Sequence, residues 1–377
     1  MTWKTFFDKE LLYEKKAIEF LKVEFGDQMN VDCWIDNYFS WKLQAETQKP
    51  GYLHLGMIES KIVSTVSFSP KRILFNGIEY FGGELGDSYC SNQFLKMLRK
   101  IKPEQEMYTT NSYLNQSIFG RSAYEITQLA LKEGSQFIYG TPNDTALPGW
   151  IKRLGYIKLE SHEIYLFIRP TISFFVSKKF NNSIINSLAS HLDRLTVILK
   201  LRLGYFGIRR QEYSFLNKIP TQIQLDKLWE KTRPQKGFTF IREYNYWYHR
   251  YLSHPSSRYK IISIMHGETF CGILVYYLKR IGINACNIYF LEWMLDNSIS
   301  INAMFNKVIL TEMQNSRIYK AFTYLNCQSN YYKSFRNSLF LKRKKVIIIL
   351  YPTDISNSIN QLSPKDFEFY LGSSDAY

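Results

Sequence analysis

Hydrophobic and polar positions in the first part of the chain fall into short runs that predict β-strands. The runs at 52–58, 61–69, 72–77 and 78–87 are rich in β-branched and aromatic residues, and Gly or Asn turns interrupt them. Strands separated by such short turns pair with their neighbours along the chain. We therefore predict an antiparallel meander.

A helical period replaces this alternation in the segment 117–134. Its apolar residues recur at nearly helical spacing before a glycine stop, at Ile118, Ala123, Ile126, Leu129 and Ala130. The next run, FIYG at 137–140, is bounded by Gly-Thr-Pro-Asn and predicts a short buried strand. A helix in LPGWIKRLGY and an alternating strand in YIKLESHEIYLFI complete the order strands, helix, strand, helix, strand.

A comparable order recurs in the second half. Strand-like runs at 258–265, 269–280 and 285–295 precede an amphipathic helix in ISINAMFNKVILTEMQN. A short strand in AFTYLNC, a helix in NYYKSFRNSLF and a strand in KRKKVIIILY follow. The halves share few identical letters, so the repeat is one of pattern.

The stretch between the two halves is basic, helical in tendency and poor in strand signals. We predict an N-terminal domain at 1–170, a helical basic linker at 171–234 and a C-terminal domain at 235–377. A chain of 377 residues with 45% hydrophobic and 21% charged residues suits two globular units.

The cysteines and the apolar runs bear on where the protein works. Five scattered cysteines without a C-x-x-C spacing indicate thiols in a reducing compartment, and no targeting signal is visible, so we expect a cytoplasmic protein. Apolar runs end well short of the about 18 to 20 residues of a membrane-spanning helix. The basic run LTVILKLRLGYFGIRR fits a buried connecting helix best, and peripheral membrane contact is the alternative.

The formal charge of +15 favours anionic partners. Nucleic acid, phospholipid, coenzyme A and nucleotide-linked sugars all meet this condition, so charge does not choose among them. Six histidines show no metal-binding spacing and no serine nucleophile elbow is present, so we expect neither a metal site nor a serine hydrolase.

The sharpest local signal is the pair SIFGRS at 117–122 and FIYGTPND at 137–144. A glycine-containing turn at the start of a helix leaves backbone N–H groups pointing outward, and the helix dipole adds partial positive charge. Such a helix end binds pyrophosphate.

The run IFGRSAYEI, followed by YGTPN and PGWIKRLGY, resembles the acetyl-CoA-binding core of GNAT N-acetyltransferases, particularly the tandem type found among bacterial surface-polysaccharide genes. The resemblance covers 34–170 and, more weakly, 240–350. It implies an α/β (α+β) fold of two GNAT-like domains, each a mixed, mostly antiparallel central sheet flanked by helices. It also implies acetyl-CoA or another acyl-CoA as co-substrate.

The family motif R/Q-x-x-G-x-G/A places Ser117 first, Gly120 at the glycine and Ser122 last, so two of three places depart from the pattern. The coenzyme contacts implied by the resemblance are Ser117, Ile118, Phe119, Gly120, Arg121, Ser122 and Asn143. Arg121 fits a phosphate contact or a solvated helix position. Asn143 fits a contact with the pantetheine arm or a turn beside Pro142.

Catalytic candidates lie on the strand before this helix. Members of the GNAT family often carry the catalytic base on this strand, so the resemblance implies Glu84 and Asp87 in GGELGD as candidate bases. The adjacent glycines suit a β-bulge that splays the strand. The family's tyrosine acid falls here on Ile151. Tyr139 and Tyr156 lie nearby in sequence, and the proton donor stays unassigned.

The segment YNYWYHRYLSHPSSRY resembles a W-R-Y motif that precedes the second GNAT repeat. We expect Trp247, Arg250 and Tyr251, together with Trp41, to bind the acceptor. The helix at 301–315 has no glycine at the pyrophosphate position, so the second half should not bind coenzyme and should instead wall the acceptor cleft.

Three hypotheses follow. The first is an acyl-CoA-dependent N-acyltransferase acting on an amine, with an amino sugar as the acceptor that the resemblance implies. The second is a Fem-type aminoacyl-tRNA-dependent transferase, although we expect no nucleic acid partner. The third is a degenerate GNAT pair that binds without catalysis.

Overall fold

The computed structural model describes most of the chain. The residues described are 2–25, 35–44, 49–91, 93–94, 101–107, 111–168, 184–185, 188–189, 191–192, 195–199, 201–202, 213–256, 258–282, 285–296, 299–315, 317–325, 340–363, 366–370 and 373.

The first half alternates a meander with helices, as the hydrophobic pattern predicts. Its strands are β1 (Thr2–Phe7), β2 (Tyr52–Ile58), β3 (Lys61–Phe75), β4 (Ile78–Cys90), β5 (Lys102–Pro103), β6 (Phe137–Gly140) and β7 (Ile157–Ile168). Its helices are α1 (Glu14–Phe25), α2 (Tyr38–Leu43), α3 (Tyr113–Gln116), α4 (Ile118–Lys132) and α5 (Leu147–Leu154).

The second half repeats this order. Its strands are β8 (Tyr213–Leu216), β9 (Phe238–Phe240), β10 (Tyr259–His266), β11 (Thr269–Gly282), β12 (Ala285–Leu295), β13 (Arg317–Leu325) and β14 (Phe340–Leu350). Its helices are α6 (Gln222–Thr232), α7 (Tyr244–Trp247), a π-helical turn (Tyr248–Leu252), α8 (Ile301–Asn315) and α9 (Asp354–Asn360).

The strands join into one sheet in the order β5-β1-β2-β3-β4-β6-β14-β7-β13-β12-β11-β10-β8, and β9 pairs with β3 off this path. The last strand, β14, therefore lies between β6 and β7 of the first half. β7 in turn pairs with β13. Each half thus contributes a strand to the middle of the sheet, where the two halves meet.

The fold class predicted from the sequence is confirmed. Each half of the sheet is mixed and mostly antiparallel, with the parallel pairs β1–β5 and β4–β6 in the first half and the parallel pair β12–β13 in the second. In the first half α4 packs on one face, and α1 and α2 pack on the other. The domain boundaries stay predictions.

Two details differ from the sequence prediction. The runs at 61–69 and 72–77 form one strand, β3, that passes through Pro70. Pairing of β3 with β2 ends at Phe68 and pairing with β9 begins at Ile73, so the missing N–H of proline falls between these two partners. The predicted helix NYYKSFRNSLF lies outside the described residues except for Phe340, which begins β14.

Candidate active site

Strands β4 and β6 run side by side over four residue pairs. Their parallel pairing extends from Gly82 opposite Phe137 to Leu85 opposite Gly140. Beyond this point β6 ends, whereas β4 continues for five further residues to Cys90. We call the place where this pairing ends, beyond Leu85 of β4 and Gly140 of β6, the wedge.

A β-bulge lies on β4 directly beyond the last parallel pair. Ser67 of β3 lies opposite Gly86 and Thr65 opposite Tyr89, so β4 carries one extra residue between them. Asp87 occupies this bulge with a left-handed φ of 44°. The bulge expected from the glycine-rich sequence is present, and bulges of this kind re-aim side chains next to active sites.

The carboxylate of Asp87 is surrounded by donors. Lys42 of α2 lies 2.6 Å from Asp87 Oδ2, the Ser67 hydroxyl donates to the same oxygen at 2.7 Å, and the Tyr38 hydroxyl donates to Oδ1 at 3.3 Å. The side chains of Lys42 and Asp87 are only 2% and 7% exposed. These contacts hold the carboxylate in one orientation.

The lysine fits because of a glycine. A Cβ added at Gly86 would come within 2.7 Å of Lys42 Nζ, so the ammonium occupies the space that any larger side chain would need. Lys42 carries no motif signal in the sequence and was missed there. A buried lysine in a six-residue helix, next to a glycine on a strand 44 positions away, is visible only in three dimensions.

Glu84, the other predicted base, lies on the same face of the sheet. It is buried, and in the sheet it lies opposite Ser69 of β3 on one side and Tyr139 of β6 on the other. Because side chains alternate along a strand, Glu84 points the same way as Gly86, toward α2 and away from α4. The structure therefore brings both predicted carboxylates to one face.

The start of α4 is capped by its own serine. Ser117 Oγ accepts from the Gly120 amide at 3.0 Å, and its carbonyl accepts the first intrahelical bond, from the Arg121 amide at 2.9 Å. The ring of Tyr113 packs against Gly120, where an added Cβ would lie 2.3 Å from Tyr113 Cε1. The amides of Ile118 and Phe119 precede the first intrahelical bond.

The side chains at this helix start have well-defined neighbours. Ile118 is buried, and the ring of Phe119 packs edge-on against Trp150 at 5.5 Å. Ser122 is fully buried, and its Oγ has no hydrogen-bond partner among the described residues. The small Ser122 side chain therefore allows the helix to pack closely on the sheet.

Arg121 is engaged within the first half. Its Nε donates to Glu125 at 3.0 Å, another guanidinium nitrogen donates to the Gln105 carbonyl, and the group lies over the ring of Trp3 at 5.5 Å. Burial raises the pKa of Glu125, but hydrogen bonds from His54, Thr5 and Arg121 outweigh it and leave that pKa lowered. These contacts direct Arg121 toward β1.

Asn143 lies between β6 and α5, exposed to solvent. Its Oδ1 accepts from the Ala146 amide at 2.8 Å, and its carbonyl accepts from Leu147 at 3.0 Å. Asn143 thus closes the turn that begins α5, in keeping with the turn interpretation of its sequence context.

The two tyrosines close in sequence to the family's acid position are buried. Tyr139 donates to the Ser373 carbonyl at 2.7 Å, and the Tyr156 hydroxyl bonds Thr127 Oγ1 at 2.7 Å. Burial raises the pKa of Tyr156. Ile151, at the matching position, packs against the core between α4 and the sheet.

Trp41 connects the first half to the second. Its Nε1 donates to the His249 carbonyl at 2.8 Å, and its ring stacks on the His249 ring at 5.4 Å. The His254 ring meets it edge-on at 4.2 Å, and the Arg250 guanidinium lies 6.0 Å from its centre. Trp41 is therefore part of the contact between α2 and the π-helical turn.

The other three predicted acceptor residues, Trp247, Arg250 and Tyr251, are buried. The Tyr251 hydroxyl donates to Glu292 Oε2 at 2.6 Å, and the Tyr246 hydroxyl donates to the same oxygen at 2.6 Å. Burial raises the pKa of Glu292 and of both tyrosines. These residues surround a carboxyl group that the sequence did not single out.

Glu292 comes directly after the counterpart of the Asp87 position, which in the second half is Leu291. Parallel pairing of β12 with β13 ends at Tyr289. On the other side of β12, Tyr276 of β11 lies opposite Phe290 and Val275 lies opposite Glu292. Leu291 is therefore an extra residue that forms a bulge. In the first half pairing ends at Leu85 and the bulge includes Asp87. Each bulge therefore begins two residues after the last parallel pair.

The helices that contact these two carboxyl groups share a sequence signal. YFSW at 38–41 and YNYW at 244–247 both read Tyr-x-x-Trp. Lys42 and the hydroxyl of Tyr38 contact the first carboxylate, and the hydroxyl of Tyr246 contacts the second. This repeat could have been found in the sequence, and it places related helices over the bulge of each half.

Other features of the described residues lie away from this cluster. A cavity of about 670 Å³ opens beside β1 and the start of α1, between Lys4, Phe6, Tyr13 and Glu59. Within the described ranges no group of three or more His, Cys, Asp or Glu side chains is arranged to hold a metal ion. No helix in that part of the chain is long and apolar enough to span a membrane.

Comparison with known proteins gives matches in structure only. No protein-family model matches the sequence, and no curated protein matches it. A probable N-acyltransferase from Enterococcus faecalis V583 matches with a TM-score of 0.57 and 11% identity, covering 94% of this chain and 73% of that one. A GCN5-related N-acetyltransferase from Anabaena variabilis ATCC 29413 matches at 0.53 and 10%, covering 92% and 72%.

A third solved structure is the GCN5-related glucosamine N-acetyltransferase region of a fungal multi-domain β-N-acetylglucosaminidase. It matches with a TM-score of 0.51 and 8% identity, covering 93% of this chain and 38% of that one. At these identities the likeness concerns the fold. The chain has the fold of the GCN5-related N-acetyltransferases.

Proposed function

We propose that this protein is an acyl-CoA-dependent N-acyltransferase that transfers an acetyl or related acyl group to an amine. The observation that carries the proposal is the end of the β4–β6 pairing at the wedge, with the bulge carboxylate Asp87 two residues beyond the last pair. Acyl transfer needs a base and a bound thioester at one place. The wedge and the bulge supply a place of that kind.

In this proposal the start of α4 binds the coenzyme pyrophosphate through backbone amides that precede the first intrahelical bond. The coenzyme residues are those of 117–122 together with Asn143. Acetyl-CoA, or another acyl-CoA, is the co-substrate, and its thioester extends into the wedge.

Asp87 is the proposed base, with Glu84 on the same face. The amine nitrogen attacks the thioester carbonyl carbon, a C–N bond forms, and the C–S bond breaks. Asp87 takes the proton released by the amine, and the coenzyme thiolate receives a proton. The Tyr38 hydroxyl is our candidate for that donor, because its hydrogen bond to Asp87 lets the base return the proton it has taken.

The finer proposal concerns the acceptor and the setting. We propose an amino sugar of surface-polysaccharide biosynthesis as the acceptor, in the cytoplasm of a bacterium, with Trp41, Trp247, Arg250 and Tyr251 forming the wall toward the second half. The resemblance around 117–144 supports this, as does the neighbour described as a glucosamine N-acetyltransferase region. Domains at 1–170 and 235–377 joined by a linker at 171–234 belong to the same proposal.

The decisive experiment is calorimetric titration with acetyl-CoA of the wild type and of two variants at Ser117. Asp and Asn both cap helices well, so both variants should fold. Ser117→Asp places a negative charge where the pyrophosphate binds and should weaken affinity at least about tenfold. Ser117→Asn is the neutral control and should bind within a few-fold of the wild type.

Failure of the wild type to bind acetyl-CoA would contradict the proposal and favour a non-catalytic GNAT pair. Steeply salt-dependent binding of tRNA in its place would favour the aminoacyl-tRNA-dependent transferase. If binding is found, a panel of amino-sugar nucleotides assayed by thiol release identifies the acceptor.

A further inference from the structure

A row of exposed leucines lies in the segment that joins the two halves along the chain. Leu188, Leu192, Leu195 and Leu199 are 59%, 55%, 63% and 59% exposed. Their spacing of four, three and four residues places them on one side of a helix. We call these four side chains the leucine stripe.

The other side of the same segment is anchored in the core. Val197 and Leu201 are each 1% exposed and pack into the hydrophobic cluster of the second half. The Thr196 hydroxyl donates to the Leu192 carbonyl at 2.9 Å, which fits a helical turn at this point. The segment therefore rests on the protein with one apolar side and presents the leucine stripe outward.

The sequence on either side of the leucine stripe is strongly basic. The forty residues from 171 to 210 contain seven Lys or Arg and one Asp, a net of 7 − 1 = +6 out of +15 for the whole chain. Among them Arg202, which follows the stripe, is exposed. Exposed leucines flanked by basic residues are the combination that inserts at the interface of an anionic bilayer.

We propose that the leucine stripe docks this protein on an anionic membrane surface. Charge complementarity selects this occupant over a second copy of the chain, because two copies would bring like charges together. The stripe would enter the boundary between headgroups and acyl chains while the surrounding Lys and Arg contact lipid phosphates. Docking of this kind is peripheral, and it is independent of coenzyme binding.

Co-sedimentation of the full-length protein with vesicles tests the proposal. We expect binding to phosphatidylglycerol-containing vesicles, much weaker binding to pure phosphatidylcholine, and weakening as salt is raised. Replacing the four stripe leucines by Gln should reduce binding to the anionic vesicles at least about tenfold. The matched control, Leu12→Gln with Val23→Gln, changes exposed apolar residues elsewhere and should bind like the wild type.

Thermal melting of both variants checks that each is folded. Unchanged affinity of the stripe variant for acetyl-CoA would show that membrane binding is lost independently of the proposed acyltransferase function. Absence of binding to anionic vesicles would overturn the proposal. Equal binding to both lipids would overturn it too, since charge would then play no part. Light scattering gives the oligomeric state. A wild-type dimer that becomes a monomer in the stripe variant would overturn the proposal and identify a second copy of the chain as the occupant.

Discussion

Lys42 Nζ lies 2.6 Å from Asp87 Oδ2, and both side chains are almost fully buried. The pair joins helix α2 to the bulge of β4 across 45 positions of sequence. An ion pair out of contact with water depends on both partners, because either one alone leaves a buried, uncompensated charge. The geometry of the proposed base therefore depends on this lysine.

Breaking the Lys42–Asp87 pair should destabilise the protein. The losses of stability caused by replacing Lys42 and by replacing Asp87 should not be additive. We expect Lys42→Met to lower the free energy of unfolding by about 3–5 kcal/mol. The double variant with Asp87→Asn should cost about 1–3 kcal/mol less than the sum of the two singles. Urea denaturation of the four proteins measures the coupling.

The control is the exposed pair of Lys231 and Asp296, in which the lysine is 64% exposed. Because this pair is exposed to solvent, Lys231→Met should leave the free energy of unfolding close to the wild-type value. Strictly additive costs at Lys42 and Asp87 would show that the buried pair is not coupled.

Asp87→Asn should separate catalysis from coenzyme binding. Because the amide cannot accept the proton of the amine, we expect kcat to fall by about 10²–10⁴-fold while the affinity for acetyl-CoA stays close to the wild-type value. Glu84→Gln should have the smaller effect, since its carboxyl lies outside the bulge. Steady-state thiol release gives kcat, and a larger loss in Glu84→Gln would exchange the roles of the two residues.

Tyr156→Phe should affect stability and leave catalysis intact. The hydroxyl bonds Thr127 within the core, so its loss should cost about 1 kcal/mol in the free energy of unfolding. Burial raises the pKa of Tyr156, so the phenol keeps its proton at neutral pH. Thiol release and thermal melting test this together, and a fall in kcat without a change in stability would place Tyr156 at the reaction.

Glu292 should make stability depend on pH. Burial raises its folded-state pKa above the ordinary 4.5, so the folded protein binds more protons than the unfolded chain above that pH. Stability from this group is therefore largest below pH 4.5 and declines as pH rises through the folded pKa. Urea denaturation between about pH 5 and about pH 8 should show a flatter profile for Glu292→Gln than for the wild type.

Tyr251→Phe is the companion variant, because it removes one of the two hydroxyls that stabilise the ionised form of Glu292. We expect a steeper decline of stability with pH than in the wild type. Identical pH profiles in all three proteins would mean that Glu292 does not titrate over this range.

Local periodicity determined much of the fold of this protein. The helical period ending at Gly134 predicts α4, and the structure ends that helix at Lys132 with Gly134 in the left-handed region, at a φ of 89°. The FIYG strand and the bulge among the glycines of β4 were predictable for the same reason. Each depends on a few neighbouring residues, so the sequence carries the full signal.

Only the tertiary structure decided how distant segments meet. The sequence KRKKVIIILY predicts a strand but does not predict that β14 inserts between β6 and β7. The alternation of residues along a strand determines which face each side chain takes, and it does not determine the neighbouring strands. The approach of Lys42 to Asp87 and the packing of Trp41 on His249, 208 positions apart, likewise depend on the folded sheet. Such contacts form only when the two halves share one sheet, and pattern along a single chain cannot encode that pairing.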